Sequence, residues 1–240
     1  MPLLEVCAPK DLIEVDLDAS SELLLKPEFI RNVPDNLNAN TRALFNYSIP
    51  ITSLASGLYM LTRFRTKGRS ESVAVKLSES SGTETKLSII ELEESSEVVL
   101  SPRHIVGIMQ DKDKPLQIYS RWLLFKPSAW LAGQLRVLVL KGPAKIILQG
   151  TRGIFLQKVT PSRPCSCEGV IGYSANLVLE SSRTETFWAF HRNKRELLKH
   201  RFSEADGVVL QEIHPQRKRV NISGWSFQRL GDVILNVFGI

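Results

Sequence analysis

The hydrophobic positions of this chain fall into short runs, and the clearest group extends from Leu135 to Val159. Three apolar runs rich in Val, Ile and Leu are separated there by a turn at Gly142-Pro143 and a turn from Gly150 to Gly153. Runs of this length are typical of strands, because helices usually need about ten or more residues. The spacing therefore predicts three consecutive antiparallel strands, a central meander whose turns are set by Gly142, Pro143, Gly150 and Gly153.

Glycine adopts positive φ at little cost, whereas a side chain makes that conformation unfavourable. If Gly142 or Gly150 has a positive φ in its turn, replacing it with Val is expected to impair folding.

Similar apolar runs occur from residue 57 onward, and polar, turn-forming segments separate them. Strands are predicted at residues 57–65, 72–77, 87–92, 97–100, 105–109 and 116–119, and again at 169–173, 175–180, 186–191, 207–213 and 232–240. Strand starts at intervals of about 10 to 15 residues are typical of sandwiches and barrels. The pattern predicts an all-β fold, a multi-stranded antiparallel β-sandwich or barrel of repeated β units, with at most one or two short helices.

Two segments depart from this rhythm. Residues 1–45 are acidic and contain Pro27, Pro34 and an Asn-rich patch at 35–40, so they are predicted to form an irregular N-terminal arm with at most one or two short strands. The β-rich domain is then expected to cover residues 46–240. In residues 194–202, Leu197, Leu198 and Phe202 would share one side of a helix, so one or two helical turns are expected there.

The chain has 240 residues and is 43% hydrophobic, which is enough for one large all-β domain or two small ones. The N-terminus has no basic region of the kind that opens a secretory signal. The apolar stretch at residues 49–61 is far shorter than the roughly 20 residues that span a bilayer. These features predict a cytoplasmic protein without a transmembrane segment.

The three cysteines give no disulfide framework, because their number is odd and Cys7 is far in sequence from Cys165 and Cys167. Cys165 and Cys167 could be half of a metal or redox site. Structural zinc sites, however, usually have at least two residues between paired cysteines and need two further ligands. The four histidines have no such spacing. We interpret the pair as reduced thiols in a turn and predict no metal or cofactor.

The net charge of +6 is unevenly distributed along the chain. The first 100 residues contain 10 Lys/Arg and 15 Asp/Glu, a balance of −5, whereas residues 101–240 contain 21 and 10, a balance of +11. Many basic residues, such as Arg136, Lys145 and Lys158, alternate with strand residues, as on a solvated sheet face. Two denser clusters are the candidates for binding RNA or another polyanion: Arg192, Lys194, Arg195, Arg217, Lys218 and Arg219.

Aromatic residues could add base stacking to such a basic surface. The four tryptophans are Trp122, Trp130, Trp188 and Trp225, and several lie near phenylalanines. No RNA-binding sequence motif accompanies them. Packing in the core is therefore the preferred interpretation of these aromatic residues.

Catalytic motifs are missing from the sequence. It contains no Gly-rich phosphate-binding loop and no H-E-x-x-H motif. Ser174 resembles a nucleophile elbow, but the closing glycine is missing and no helix is predicted to follow. The chain is therefore expected not to be an enzyme. A pocket between β layers, with acids and bases brought together from distant strands, is the enzymatic alternative.

Six short segments carry a resemblance to a known family. They are residues 57–63, 101–107, 120–122, 141–144, 183–187 and 207–212. In this order they resemble the mitochondrial-biogenesis "altered inheritance of mitochondria" family, member twenty-four, which also has many bacterial members. The resemblance covers roughly residues 45 to 215, and its motifs are turn and strand patterns.

The resemblance implies a β-rich domain related to the tryptophan-RNA-attenuation-protein-like fold, with repeated β units packed as sandwich layers. It implies no catalytic residue, because none is established for that family. Its mitochondrial members are linked to inner-membrane organisation, but this chain has no Arg-rich, acid-poor presequence. A second departure is the segment 203–206, where a Gly-rich turn is expected and Ser-Glu-Ala-Asp stands instead.

Three functions follow as hypotheses. The first is a non-enzymatic scaffold or protein-binding module that forms a homo-oligomer through its β surfaces and binds an unknown protein partner. It rests on the missing catalytic motifs, the resemblance, and the many strand edges that need covering. The second is RNA or polyanion binding by the basic clusters, and the third is an unrecognised enzyme with a pocket between β layers.

Overall fold

Strands make up most of the regular structure in the part of the chain that the structure describes. The structure is a computed structural model, and it describes residues 5–6, 12–55, 58–66, 73–78, 85–123, 136–160, 165–166, 169–183, 198–203 and 206–213. The helical segments in these ranges are α1 (Pro50–Ala55) and two three-residue 3-10 turns, Pro27–Phe29 and Pro102–His104. None of the described helices is long and apolar enough to cross a membrane. The predicted all-β fold with few short helices is confirmed.

The strands are numbered in chain order. They are β1 (Glu5–Val6), β2 (Leu12–Leu17), β3 (Ser21–Leu25), β4 (Ile30–Asn32), β5 (Leu37–Leu44), β6 (Tyr59–Thr66), β7 (Val73–Ser78), β8 (Thr85–Leu92), β9 (Glu97–Leu100), β10 (Ile105–Asp111), β11 (Gln117–Trp122), β12 (Arg136–Lys141), β13 (Ala144–Thr151), β14 (Ile154–Val159), β15 (Cys165–Ser166), β16 (Val170–Ser174), β17 (Val178–Arg183), β18 (Leu198–Ser203) and β19 (Gly207–Glu212).

The described strands form four antiparallel sheets. The seven-stranded sheet has the order β1-β8-β13-β10-β3-β6-β5, and the six-stranded sheet has the order β11-β12-β9-β16-β19-β14. We call these two the inner sheets. The N-terminal outer sheet has the order β2-β7-β4, and the C-terminal outer sheet has the order β15-β18-β17.

The inner sheets pack face to face over the largest hydrophobic cluster. Leu24, Ile146 and Leu148 of the seven-stranded sheet meet Leu140 and Leu210 of the six-stranded sheet in this cluster. Each of these side chains is at most 1% exposed. Burial of one such side chain contributes about 1.5–3 kcal/mol. The space between the two inner sheets is therefore a packed core.

The outer sheets cover part of the outward-facing sides of the inner sheets. Because successive side chains of a strand point to opposite faces, Leu23 and Leu25 lie on the face of β3 opposite Leu24. There they pack with Leu17 and Leu77 of the N-terminal outer sheet. A third cluster joins Val209 of the six-stranded sheet to Cys165 and Phe202 of the C-terminal outer sheet. The molecule thus has four layers in the order N-terminal outer, seven-stranded, six-stranded and C-terminal outer.

The three strands predicted between Leu135 and Val159 are present, but the predicted meander is wrong. β12 and β14 belong to the six-stranded sheet and β13 to the seven-stranded sheet, so β13 pairs with β8 and β10 and with neither of its neighbours in sequence. The two turns carry the chain from one inner sheet to the other and back. Five of the eight residues of β13 are buried, including the consecutive Ile146, Ile147 and Leu148, as expected of a strand covered on both faces.

The irregular arm expected at residues 1–45 is also wrong. This region contains β2, β3, β4 and β5, and β3 lies inside the seven-stranded sheet between β10 and β6. Residues 22–25 are all buried. The prolines and asparagines of this region mark turns between strands, and its acidic residues alternate with buried ones, as Glu14 and Asp16 do in β2.

The helical turns expected at residues 194–202 are not formed where the structure describes this segment. Residues 198–203 form β18, which is paired along its whole length with β17. Phe202 faces Leu179 across this hairpin, so strand pairing outweighs a weak helical pattern. Residues 194–197, together with the strands predicted at 186–191 and 232–240, lie outside the described residues.

The strand order repeats with a period of six strands. In the seven-stranded sheet the order after β1 is β8-β13-β10-β3-β6-β5, and adding six to each label gives β14-β19-β16-β9-β12-β11, the six-stranded sheet read from its other end. Subtracting six from β8-β13-β10 gives the N-terminal outer sheet. Adding six to β9-β12-β11 gives the C-terminal outer sheet. The described strands from β2 to β19 therefore form three units, β2–β7, β8–β13 and β14–β19.

Each inner sheet is assembled from half-sheets of two successive units, and the junctions are alike. The backbone N–H of Lys26 donates to the carbonyl of Val106 at 3.0 Å at one junction, and that of Ser101 donates to the carbonyl of Ile171 at 2.8 Å at the other. A Cβ added to Gly107 or to Gly172 would collide with a leucine of the neighbouring strand, Leu25 or Leu100. Glycine at both places lets the two half-sheets approach closely.

Candidate functional site

In the described structure, each outer sheet has one edge strand at a place where the inner sheets have a further paired strand. β4 is the edge strand of the N-terminal outer sheet, and β15 is the edge strand of the C-terminal outer sheet. Their counterparts in the inner sheets have a further neighbour, since β10 pairs with β3 and β16 pairs with β9. We call these two positions the β4 edge and the β15 edge.

The β4 edge begins after the 3-10 turn at Pro27, whose fixed φ suits the first residue of such a turn. β4 pairs with β7 through Ile30–Leu77 and Asn32–Lys76, with a shift of register between the two pairs. The same shift occurs in β10 between Ile105 and Gly107. Val33, which follows β4, is partly buried against the cluster below the N-terminal outer sheet.

The β15 edge is held in place by Cys165. This residue pairs with Phe202 of β18, is 2% exposed, and its Sγ donates to Oε1 of Gln157 at 3.3 Å. Burial raises the pKa of the Cys165 thiol, so it stays protonated and weakly nucleophilic. No group of three or more potential metal ligands occurs among the described residues, and Cys167 lies outside them. Cys165 is thus a core residue of this edge.

The buried carboxylate of Glu22 stabilises the junction between β3 and β10, the first of the two half-sheet junctions. Glu22 of β3 accepts hydrogen bonds from Nη2 of Arg65 at 2.8 Å and from Nε2 of Gln110 at 2.7 Å, and Nε of Arg63 lies 3.0 Å away. Burial raises the pKa of Glu22. The hydrogen bonds from Gln110 and Arg65 and the two guanidinium charges lower that pKa by more, so it lies below its usual value. A carboxyl group held ionised in this way is a structural clamp.

The second junction has a carboxylate at the equivalent place. Glu97 of β9, like Glu22 of β3, directly precedes the buried residue that faces the next strand. It accepts from Nζ of Lys141 at 3.1 Å and from the hydroxyl of Tyr119 at 2.9 Å. These two hydrogen bonds lower the pKa of Glu97 by more than burial raises it. Glu22 therefore bridges two half-sheets through Gln110, whereas the contacts of Glu97 lie within the half-sheet β9-β12-β11.

The groups with catalytic potential are also engaged in structural contacts. Ser174, considered above as a nucleophile, is 2% exposed and its Oγ accepts from the backbone N–H of Val208 at 3.1 Å. His104 Nδ1 lies 3.1 Å from the carbonyl of Gln149 and 3.7 Å from Oε1 of Glu212. The Ser174–Val208 bond lies within the six-stranded sheet, and the His104–Glu212 contact joins the two inner sheets, so both serve the fold.

The six basic residues singled out as polyanion candidates, Arg192, Lys194, Arg195, Arg217, Lys218 and Arg219, lie outside the described residues. Lys145 and Lys158 are exposed, as expected for a solvated face of a strand. Trp122 is 51% exposed at the end of β11, so core packing does not account for it. The other three tryptophans lie outside the described residues.

The turn residues that the pattern singled out act in two different ways. Gly142, followed by Pro143, has φ +116° and Gly153 has φ +111°, both unfavourable for other residues. Gly150 does not have a positive φ, but a Cβ there would lie 2.6 Å from Cγ1 of Ile154. All of these residues lie where the chain crosses between the inner sheets.

Comparison with known proteins bears on the fold alone. No protein-family model matches the chain, and no curated protein matches it. A solved structure of similar fold is the X-ray crystal structure of protein SPYM3_0169 from Streptococcus pyogenes, with a TM-score of 0.53 and 11% sequence identity over 98% of each chain. A similarity at this identity shows a common architecture and carries no information on activity.

Proposed function

We propose that this protein is a non-enzymatic scaffold that associates with itself through the edges of its β-sheets. The observation that carries the proposal is the half-sheet architecture. Each inner sheet is completed by a half-sheet from the next unit, and each outer sheet presents one half of the same arrangement. Exposed strand edges are templates for pairing with a further strand.

The chemistry of the described residues supports a structural role. The carboxylates of Glu22 and Glu97 are committed to ion pairs and hydrogen bonds, and the Cys165 thiol is buried in the core. The space between the inner sheets is filled by aliphatic side chains. These features favour a scaffold over an enzyme with a pocket between β layers.

A family relationship and further partners are part of the same proposal. We propose that the chain is related to the "altered inheritance of mitochondria" family that its motifs resemble, and the layering of repeated β units is consistent with that relationship. A cytoplasmic location and an unidentified protein partner belong to the same proposal. Polyanion binding is the second candidate, because residues 101–240 carry a balance of +11.

Light scattering in line with size exclusion, over a hundredfold range of protein concentration, tests the proposed function. We expect a mass that is a multiple of the 27.0 kDa chain. A 27.0 kDa mass at every concentration would contradict the proposal. The ratio of absorbance at 260 and 280 nm, recorded in 50 mM and 500 mM salt, tests the second candidate, since bound nucleic acid dissociates as salt rises.

A further inference from the structure

We propose that β4 of one copy of this chain pairs with β15 of a second copy, so that two outer sheets join into one six-stranded sheet. The inference rests on the proposed self-association and adds the surfaces, the register and the polarity of the contact. Its partner is a second copy of the same chain, because that copy holds a half-sheet of the type that no described strand supplies beside β4.

The order of strands shows which half is missing from each outer sheet. An inner sheet joins a half of the type β8-β13-β10 to a half of the type β3-β6-β5, and the joining pair is β10 with β3. The N-terminal outer sheet is of the first type and the C-terminal outer sheet is of the second type. Joining β4 to β15 therefore reproduces a junction that the chain already makes twice.

The register of the new junction follows from the two existing ones. Leu23, Val98 and Cys165 occupy equivalent places, since each is buried and faces Phe64, Leu140 or Phe202 of the adjacent strand. The next residues along are Leu24, Val99 and Ser166. On the partner strands, Ile108 and Tyr173 lie three residues after the start of β10 and β16, and Val33 lies three residues after the start of β4.

In the inner sheets these residues face one another, since Leu24 pairs with Ile108 and Val99 pairs with Tyr173. The new junction should therefore place Ser166 opposite Val33. Lys26 donates its N–H to Val106, two residues from the Leu24–Ile108 pair. Because alternate pairs of an antiparallel ladder exchange both hydrogen bonds, Leu24 and Ile108 form such a pair. Ser166 and Val33 inherit the same arrangement.

The contact is head-to-tail, because the two edges belong to different sheets. Such a heterologous contact closes into a ring if the rotation allows and otherwise grows into a filament.

Disulfide cross-linking tests the register directly. We would replace Cys7 and Cys167 with Ser and the buried Cys165 with Ala, and add Val33→Cys and Ser166→Cys to one chain. The Cα atoms of a hydrogen-bonded antiparallel pair lie about 5.5 Å apart, within the range that a disulfide spans. Mild oxidation should then produce a ladder of covalent oligomers on a denaturing, non-reducing gel.

The single variants are the matched controls. Val33→Cys alone and Ser166→Cys alone should give no ladder, because a head-to-tail contact never places like edges together. A cross-linked dimer from either single variant, or a disulfide formed within one chain of the double variant, would overturn the inference. So would an uncross-linked double variant whose mass by light scattering is that of an oligomer.

A proline at Ser166 provides a second test that does not depend on cysteines. By analogy with Leu24, the N–H of Ser166 points away from β18, so Ser166→Pro should leave the fold intact while removing one hydrogen bond of the contact. We expect at least a tenfold weaker association for Ser166→Pro and none of that loss for Ser166→Ala. Circular dichroism checks that both variants are folded.

These experiments distinguish a failure of the proposed β4–β15 contact from a failure of the proposed self-association. Oligomers that Ser166→Pro leaves unchanged would overturn the β4–β15 contact and leave self-association standing. A wild-type protein that is monomeric at every concentration would overturn both.

Discussion

The inner and outer sheets of this molecule are made of the same units but differ in completeness. An inner sheet receives three strands from one unit and three from the next, and its central strands are buried on both faces by neighbouring layers. An outer sheet receives strands from one unit, as far as the described residues show. Three units in tandem therefore give two complete layers and two halves. The strand edges that could pair with a further strand therefore lie in the two outer sheets, at β4 and at β15.

The largest effect should come from the glycines at the half-sheet junctions. We expect Gly107→Ala and Gly172→Ala each to lower the free energy of unfolding by about 3 kcal/mol, because the added Cβ meets a leucine side chain and lies within 2.8 Å of a backbone carbonyl. Chemical denaturation measures this loss.

The matched control is Asn32, the counterpart of these glycines at the β4 edge, which is exposed. Asn32→Ala should change the free energy of unfolding by less than about 0.5 kcal/mol. Equal losses at Gly107 and Asn32 would show that the junction and the edge do not differ as described.

The two junction carboxylates should differ in their contribution to stability. Glu22 has a side-chain exposure of 8% and Glu97 of 30%. We expect Glu22→Gln to cost about 2 kcal/mol, because it leaves two arginines without their partner in a partly buried site. Glu97→Gln should cost about 0.5 kcal/mol, as for exposed ion pairs. Thermal and urea unfolding would measure both, and a larger loss for Glu97→Gln would contradict the assignment.

Gly142 lies in a turn where the chain crosses between the inner sheets. We expect its replacement by Ala to lower the free energy of unfolding by about 1–2 kcal/mol. Its φ of +116° is unfavourable for any residue with a Cβ. Gly142→Ala should therefore lower the free energy of unfolding, while Lys141→Ala at the preceding position should cost no more than the roughly 0.5 kcal/mol of its exposed ion pair with Glu97. An unchanged midpoint of denaturation for Gly142→Ala would mean that the turn has another conformation.

The smallest expected effect is on how the free energy of unfolding depends on pH. The pKa of Glu22 is lower in the folded state than its ordinary value, so the ionised group stabilises the fold above about pH 4.3. That stabilisation is lost as the pH falls through the lower, folded-state value. The free energy of unfolding measured between pH 3 and pH 6 should therefore decrease less toward acid in Glu22→Gln than in the wild type. Parallel curves would exclude this role of Glu22.

The sequence pattern predicts most strands but not their neighbours. Alternation and apolar runs locate β6 through β14, because they report which side chains are buried. They do not report which strand lies alongside, and β12, β13 and β14 therefore suggest a meander that the inner sheets do not form. The Glu-Leu-Leu-Leu run of β3 gave a usable signal for a buried central strand, which the surrounding prolines and acids obscured.

The candidate site could not be predicted from the sequence because it consists of backbone edges. The repeat that defines these edges is carried by equivalent residues of differing identity, such as Phe64 and Leu140, or Leu23 and Cys165. Packing requires these positions to be apolar and leaves their identity open. The similar placement of Gly107 and Gly172, each the third residue of its strand, is a sequence signal that could have revealed the repeat.

Hydrogen–deuterium exchange at low and high protein concentration tests the central claim most directly. Amide exchange slows where a strand edge becomes paired. Peptides covering residues 30–33 and 165–166 should exchange at least tenfold more slowly in the assembled protein, whereas peptides from β10 and β13 should exchange at the same rate in both samples. Equal exchange of the two edges at both concentrations, in a protein whose mass shows assembly, would contradict the claim that the outer sheets complete each other.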